Sequence, residues 1–251
     1  MNSADLIAAL HLPSSARVDQ RVPKKLFQEH APTGADRRRL AEGIEEVRWV
    51  AALKPATVGV APYRDETREY LEIAVLTATL RPASKPARIA ELIHRAIPYP
   101  VVLVAEQGEV LVLSLAHKRW SHGQAGATVL DEEIAVAELD GETIPGIVTA
   151  FLEALSVTAR PYNDVWALYA GWMDAVVALV AAPALGAFVL PRSPAHAAAR
   201  RDALRECARL DAEIARLRAA AARERQLPRQ VELNLEMKRV QRQRAAAVET
   251  L

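Results

Sequence analysis

Apolar positions follow two rhythms along most of the chain, one of period two and one of period three to four, and each change of rhythm marks an element. Leu6 to Leu12 is a short apolar patch, followed by a polar loop and then Val22-Pro23-Lys24-Lys25-Leu26-Phe27, which reads as a loop whose Leu26 and Phe27 dock on the core while the lysines stay in water. Thr33-Gly34-Ala35-Asp36 supplies an N-cap, and Leu40, Ile44, Val47 and Val50 or Ala51 continue at helical spacing. The pattern therefore predicts one amphipathic helix reaching Leu53 and stopped by Pro55. Thr57–Tyr63 and Glu69–Arg81 are rich in β-branched and aromatic residues and predict a hairpin joined by Arg64-Asp65-Glu66-Thr67. Ser84 or Lys85 opens a helix carrying Ile89, Leu92, Ile93 and Ala96 on one face, stopped by Pro98-Tyr99-Pro100. Val101–Ala105 and Val110–Leu115, joined through Glu106-Gln107-Gly108-Glu109, predict a second hairpin, and Glu133–Leu139 a fifth strand. Two helices follow, Ile144–Leu155 and one capped by Asn163 or Asp164 that runs to about Ala182 with Val165, Tyr169, Trp172, Val176 and Val180 along one stripe.

From Ser193-Pro194 the character changes. The chain becomes rich in Ala, Arg, Glu and Leu without glycine, and Ala203, Cys207, Leu210, Ile214, Leu217 and Ala221 recur at the alternating four and three of a heptad seam. Leu233, Met237, Val240, Arg244 and Val248 carry a second such series after Pro228, and a proline there favours two helices over one rod. The fold class is thus α/β or α+β, with a mixed, largely antiparallel sheet of about five strands and packed helices, followed by a C-terminal helical hairpin or coiled coil. The division expected is an α/β domain over residues 1–191 and an arm over 192–251. Whether the seam residues Cys207, Leu210, Ile214, Leu217, Leu233, Met237 and Val240 pair within one chain or between chains is open at this stage.

Charge sharpens that division. Of 32 basic and 31 acidic residues, 18 and 23 fall before residue 192 and 14 and 8 within residues 192–251, so a net charge of +1 conceals an acidic domain at −5 and a basic arm at +6. A lone cysteine, Cys207, excludes an internal disulfide and a multi-cysteine zinc site, and suits a reducing, cytoplasmic setting. The start of the chain lacks a basic n-region, so no signal peptide is read. Ala175–Leu190 is uncharged but short and broken by Pro183 and Gly186, so no membrane span is expected.

Candidate chemistry is sparse. No glycine-rich phosphate loop, nucleophile elbow or zinc-protease spacing is present, and no residue is nominated as catalytic, cofactor-binding or metal-ligating; no cofactor is expected. The densest polar cluster, His117-Lys118-Arg119-Trp120 with His122, follows a strand and mixes bases with an aromatic, as a phosphate or base contact would; Lys24 and Lys25 offer a second such contact. In the helix opened at Thr33, Arg37, Arg38 and Arg39 precede Glu42, Glu45 and Glu46, the reverse of what a helix dipole favours; a solvated face is the leading reading of this run, with a partner for the arginines as the alternative. A metal-dependent nuclease would need a lysine two residues after Glu72, where Ala74 stands.

Five segments in order carry a resemblance: Val22–Phe27, Ile44-Glu45-Glu46-Val47-Arg48-Trp49, Leu71-Glu72-Ile73-Ala74-Val75, Ala96-Ile97-Pro98-Tyr99-Pro100-Val101, and Arg223 to Asn234 with its Gln-Val-Glu-Leu-Asn run. Together they resemble the bacterial domain-of-unknown-function family 4391 over nearly the whole chain; Leu227 and Pro228 depart from the phenylalanine and asparagine expected between the tail helices. The family brings no catalytic residues with it. It implies an accessory protein found beside helicases and DNA methyltransferases in restriction-like and phage-defence gene clusters. The leading expectation is a non-enzymatic subunit that docks on such a helicase or methyltransferase, or self-associates, through its arm. A nucleic-acid-binding module and a degenerate nuclease-like domain are the alternatives.

Overall fold

Six strands form the main sheet of the structure, a computed structural model that describes residues 1–123, 126–140, 144–159 and 162–251. In sheet order they are β1 (Arg17–Arg21), β2 (Ile44–Leu53), β5 (Ile73–Leu80), β6 (Val101–Gln107), β7 (Val110–Trp120) and β8 (Thr128–Leu139). A separate two-stranded ribbon pairs β3 (Tyr63–Arg64) with β4 (Glu69–Tyr70). Every neighbouring pair in the main sheet is antiparallel except β5 and β6, which run parallel because helix α5 (Pro86–Ala96) carries the chain from the end of one to the start of the other. The fold is therefore mixed α/β with a largely antiparallel sheet, as the pattern predicts.

The helix expected over residues 33–53 is the main correction. Helix α3 (Gly34–Gly43), capped by Thr33, ends at Gly43, and the remainder is strand β2. Its register with β5 slips between Ile44 and Glu46 and again between Trp49 and Ala51. Such bulges place an extra residue on one strand. The buried positions Ile44, Val47 and Val50 consequently fall three apart and imitate a helix. The hairpin predicted from Thr57 to Arg81 is corrected likewise. Only the short β3–β4 ribbon bends back at Asp65–Thr67, where Asp65 Oδ1 accepts from the Thr67 and Arg68 backbone amides, while residues 55–58 form a helical turn, α4, and β5 pairs with β2 and β6. The segment from Lys24 to Glu29, expected as a loop, is helix α2, and the preceding polar stretch supplies the edge strand β1.

One face of the sheet packs on α2, α3 and α5. Phe27, Leu40, Ile89, Leu92 and Ile93 meet Val47, Leu76, Ala78, Leu103 and Ala105 there, all buried. Gly43 is required by this packing, since a Cβ on it would stand 2.6 Å from Ile89 Cδ1. Helix α1 (Ser3–Ala9) lies against β6 and against α6 (Pro145–Leu155). Helix α7 (Val165–Leu185), whose N-terminus is capped by Asp164 through the Ala167 amide, is tied to α6 by the Trp172 indole, which donates to the Leu155 carbonyl at 2.7 Å. Its Tyr169 reaches into the sheet. The hydroxyl accepts from the Ala116 amide at 2.8 Å and donates to the Val101 carbonyl at 2.7 Å. Val101 and Ala116 lie one step beyond the last ladder pair, Val102–Leu115, so the phenol stands in for a missing rung.

Helix α7 is long and apolar enough to cross a membrane, with mean hydropathy 1.7 over 18 residues, yet 72% of that window is buried within the protein. Val165, Tyr169, Trp172 and Val176 are buried as the stripe predicts, whereas Val180 is exposed. Two compact units result, Met1–Val180 and Ala181–Leu251. In the second, α8 (Pro194–Arg223) and α9 (Leu227–Val248) pack on each other as a helical pair within the chain, α8 capped by Ser193 and α9 beginning with Pro228 in its first turn.

Candidate functional site

The His117–Trp120 cluster lies inside β7 rather than beyond its end. Strand alternation sends its side chains to opposite faces of the sheet. Lys118 is 2% exposed, and its ammonium donates to the Ile97 carbonyl at 2.9 Å and to the His94 carbonyl. Those carbonyls belong to the last turn of α5 and the residue after it, so Lys118 caps a helix C-terminus and is unavailable to a phosphate. Burial, helped by Arg95, pushes its pKa down to about 8. Beneath it, His94 is fully buried, with Nε2 3.0 Å from Ser114 Oγ and Nδ1 without a partner. Burial and the Lys118 charge lower its pKa to about 3, so the ring is neutral.

His117 points the other way, into a knot of rings. Its Nδ1 is 2.9 Å from the Tyr70 hydroxyl, and its ring lies 4.2 Å from that of Trp166, which in turn stacks with Tyr63 and lies 4.4 Å from the Arg68 guanidinium. Arg68 and Arg119 converge on Asp131 at 3.0 and 3.4 Å. Trp120 is half-buried, and its backbone amide donates to the Thr67 carbonyl at 2.7 Å. The cluster thus anchors the β3–β4 ribbon to β7, β8 and α7. The His117 ring and the Arg119 charge are engaged within this knot, whereas Trp120 is held through its backbone. Tyr63, Arg68, Tyr70 and Trp166 were not in the sequence-based nomination; no local spacing links them.

The other nominated lysines separate. Lys24 Nζ donates to the Ile44 carbonyl at 2.8 Å, at the end of α3, and repeats the capping role of Lys118. Lys25 is exposed and lies 3.6 Å from Glu29. Glu72 pairs with Lys54, the N-cap of α4 just beyond β2, at 3.3 Å. Among the described residues no three His, Cys, Asp or Glu side chains gather as metal ligands.

The arm brings its nominated residues together. Leu210, Ile214, Leu217 and Val240 are buried in one cluster, with Leu233 and Met237 packed against it and Cys207 buried on the same α8 seam. Arg244, at a seam position, instead donates to Asp211 of α8 at 2.7 Å. At the other end Ala181, Ala203 and Leu251 close the pair, and buried Arg200, which the heptad pattern does not reveal, donates to the Leu251 and Val189 carbonyls at 2.9 and 2.5 Å. What the pairing leaves outside is informative. Leu227, Val231 and Leu235 are 73%, 55% and 61% exposed, and their spacing of four puts them on one side of α9. The line continues into a shallow groove along Leu235, Lys238, Gln241 and Arg242. Arg229 and Arg239 are neutralised by Glu232 and Glu236 at 2.7 and 2.9 Å, but Lys238 and Arg242 form no ion pair among the described residues. The pairing of α8 and α9 thus leaves an apolar strip on α9 flanked by two cations without an ion pair among the described residues.

Residues 10–243 match the family described as Domain of unknown function (DUF4391). The chain belongs to this family. The match runs through the sheet and most of the helical pair, so the DUF4391 sequence pattern spans both units. No curated protein and no solved structure matches the chain.

Proposed function

We propose that this DUF4391 protein is a non-enzymatic interaction subunit whose arm docks on a helix of a larger partner, the helicase or methyltransferase of the same gene cluster being the partner class in view. The exposed strip Leu227, Val231 and Leu235 carries this reading, because the seam of α8 and α9 is already filled within the chain and needs no second copy. Helix-in-groove recognition uses apolar anchors spaced by three and four residues. Lys238 and Arg242 beside the strip select a partner helix with an acidic flank.

Val231→Asp and Leu235→Asp place charge on the strip without touching the seam. Each should leave helicity and monomer mass unchanged and abolish co-purification with the co-expressed cluster helicase or methyltransferase. Unchanged co-purification overturns the proposal. A wild-type dimer in solution that both variants dissolve also overturns it, in favour of self-association.

A further inference from the structure

Where β5 ends beside α3, the chain builds a basic cleft that the arm does not involve. The antiparallel register sets Ile44 opposite Leu80, so the Arg81 amide donates to the Gly43 carbonyl at 2.9 Å and the Arg81 guanidinium to the Glu42 carbonyl at 3.1 Å. The next residues are held in place by one side chain. Gln107 Nε2 lies 2.8 Å from the Arg81 carbonyl and from Ser84 Oγ, and 3.2 Å from the Pro82 and Ser84 carbonyls. The resulting cleft, about 390 Å³, is lined by Arg38, Arg39, Arg81 and Lys85 against a single carboxylate, Glu42.

Three of those four cations, Arg38, Arg81 and Lys85, form no ion pair among the described residues. Arg39 is oriented by buried Asp36, whose carboxylate accepts from Arg39 at 2.8 Å and from Arg88 at 2.7 and 3.0 Å. The Arg88 hydrogen bonds, against the opposing effect of burial, hold the Asp36 pKa down at about 2, so this anchor stays ionised throughout the neutral range. Four cations focused on one concavity attract anions, and backbone phosphates are bound by such clusters through counterion release. No aromatic or large apolar side chain among the described residues lines the cleft, so nothing there grips a base. Of the basic run Arg37–Arg39, Arg38 and Arg39 line this cleft, while Glu45 and Glu46 fall on β2 beyond the end of α3.

We infer that the cleft between α3 and the start of α5 binds the phosphate backbone of nucleic acid without reading its sequence. The test is fluorescence anisotropy of a labelled mixed-sequence 20-mer, duplex and single-stranded, with the full chain between 50 and 200 mM salt. Arg81→Gln/Lys85→Gln should weaken binding at least tenfold at 50 mM salt. Losing two phosphate contacts should also flatten the log–log salt slope by roughly 1.4 to 1.8. The charge-matched control Arg218→Gln/Arg225→Gln, on α8 and the turn after it, should change affinity less than threefold. Absence of binding by the wild type at 50 mM salt overturns the inference. So does equal weakening in the two double variants, which would reduce the effect to net charge. Titration with ATP and with inorganic pyrophosphate separates the remaining source: saturable binding of either that the Arg81/Lys85 variant loses, with no binding of the 20-mer, assigns the cleft to a small phosphate ligand and overturns the nucleic-acid assignment. Partner capture by the arm variants is read in a separate assay, so either conclusion can fail alone.

Discussion

His94 makes the acid stability of the sheet unit calculable. Its ring is fully buried, one nitrogen has no partner, and the Lys118 ammonium sits on its own backbone carbonyl, so a proton on the imidazole would add a second charge to the same dry space. The folded pKa of about 3 lies below the ordinary 6.5. As pH falls the unfolded chain therefore takes up the proton first. The contribution is fully present above pH 6.5 and is lost progressively down to pH 3. Between 6.5 and 4 the loss is about 3 kcal/mol, at 1.36 kcal/mol per pH unit for one proton. His94→Gln retains a polar partner for Ser114 and cannot titrate. Urea unfolding at pH 7, 5.5 and 4, followed by tryptophan fluorescence, reports this unit, because Trp49, Trp120, Trp166 and Trp172 all lie within Met1–Val180. Carboxylate contributions common to both proteins cancel in the comparison. The wild type should lose about 3 kcal/mol more than His94→Gln between pH 7 and pH 4. Parallel losses, within about 0.5 kcal/mol, would refute the assignment of a neutral buried ring.

Three further outcomes follow from the packing. Tyr169→Phe strands the Ala116 amide and the Val101 carbonyl in the core, and should cost about 2 kcal/mol and lower Tm by roughly 4–8 °C in a thermal scan. Gly43→Ala drives a Cβ to 2.6 Å from Ile89 Cδ1 and 3.0 Å from Ser84 Cβ, and should cost about 1–3 kcal/mol by urea unfolding. Leu210→Ala empties the centre of the helical pair, should destabilise it by about 3 kcal/mol, and should speed the labelling of Cys207 by a thiol reagent, which is slow while that side chain is buried.

The elements most legible in the sequence were those whose burial follows a regular period. Helix α5 shows its face as Ile89, Leu92, Ile93 and Ala96, and the α8 seam from Ala203 to Ala221 is buried at every position the heptad nominates. Strand β2 was illegible for a definite reason: its two bulges convert a period of two into spacings of three, and only the pairing with β5 distinguishes the result from a helix. Strand β1, all polar but for Val18, carries no apolar rhythm because it lies at an edge. The chemistry was less legible still. Lys24 and Lys118 look like free cations in a string of letters, whereas helix ends distant in sequence claim them. Arg38 and Arg81 are 43 positions apart, and only the antiparallel register of β2 and β5 brings them to one cleft.

The edge strand β1 has a bearing on what can associate with this sheet. Arg17, Asp19, Gln20 and Arg21 are exposed, the pairing with β2 breaks between Arg17 and Gln20, and Asp19 adopts a φ of 49°. A left-handed residue in the middle of so short and charged a strand misaligns its free amides and carbonyls, and natural sheets use such devices to refuse another strand. On this side the sheet is closed to extension by an incoming β-segment, whether from a client peptide or from a misfolded copy of itself. Any assembly that uses this flank must be made through side chains, and the edge acts as a guard against amyloid-type stacking as the chain accumulates in the cell.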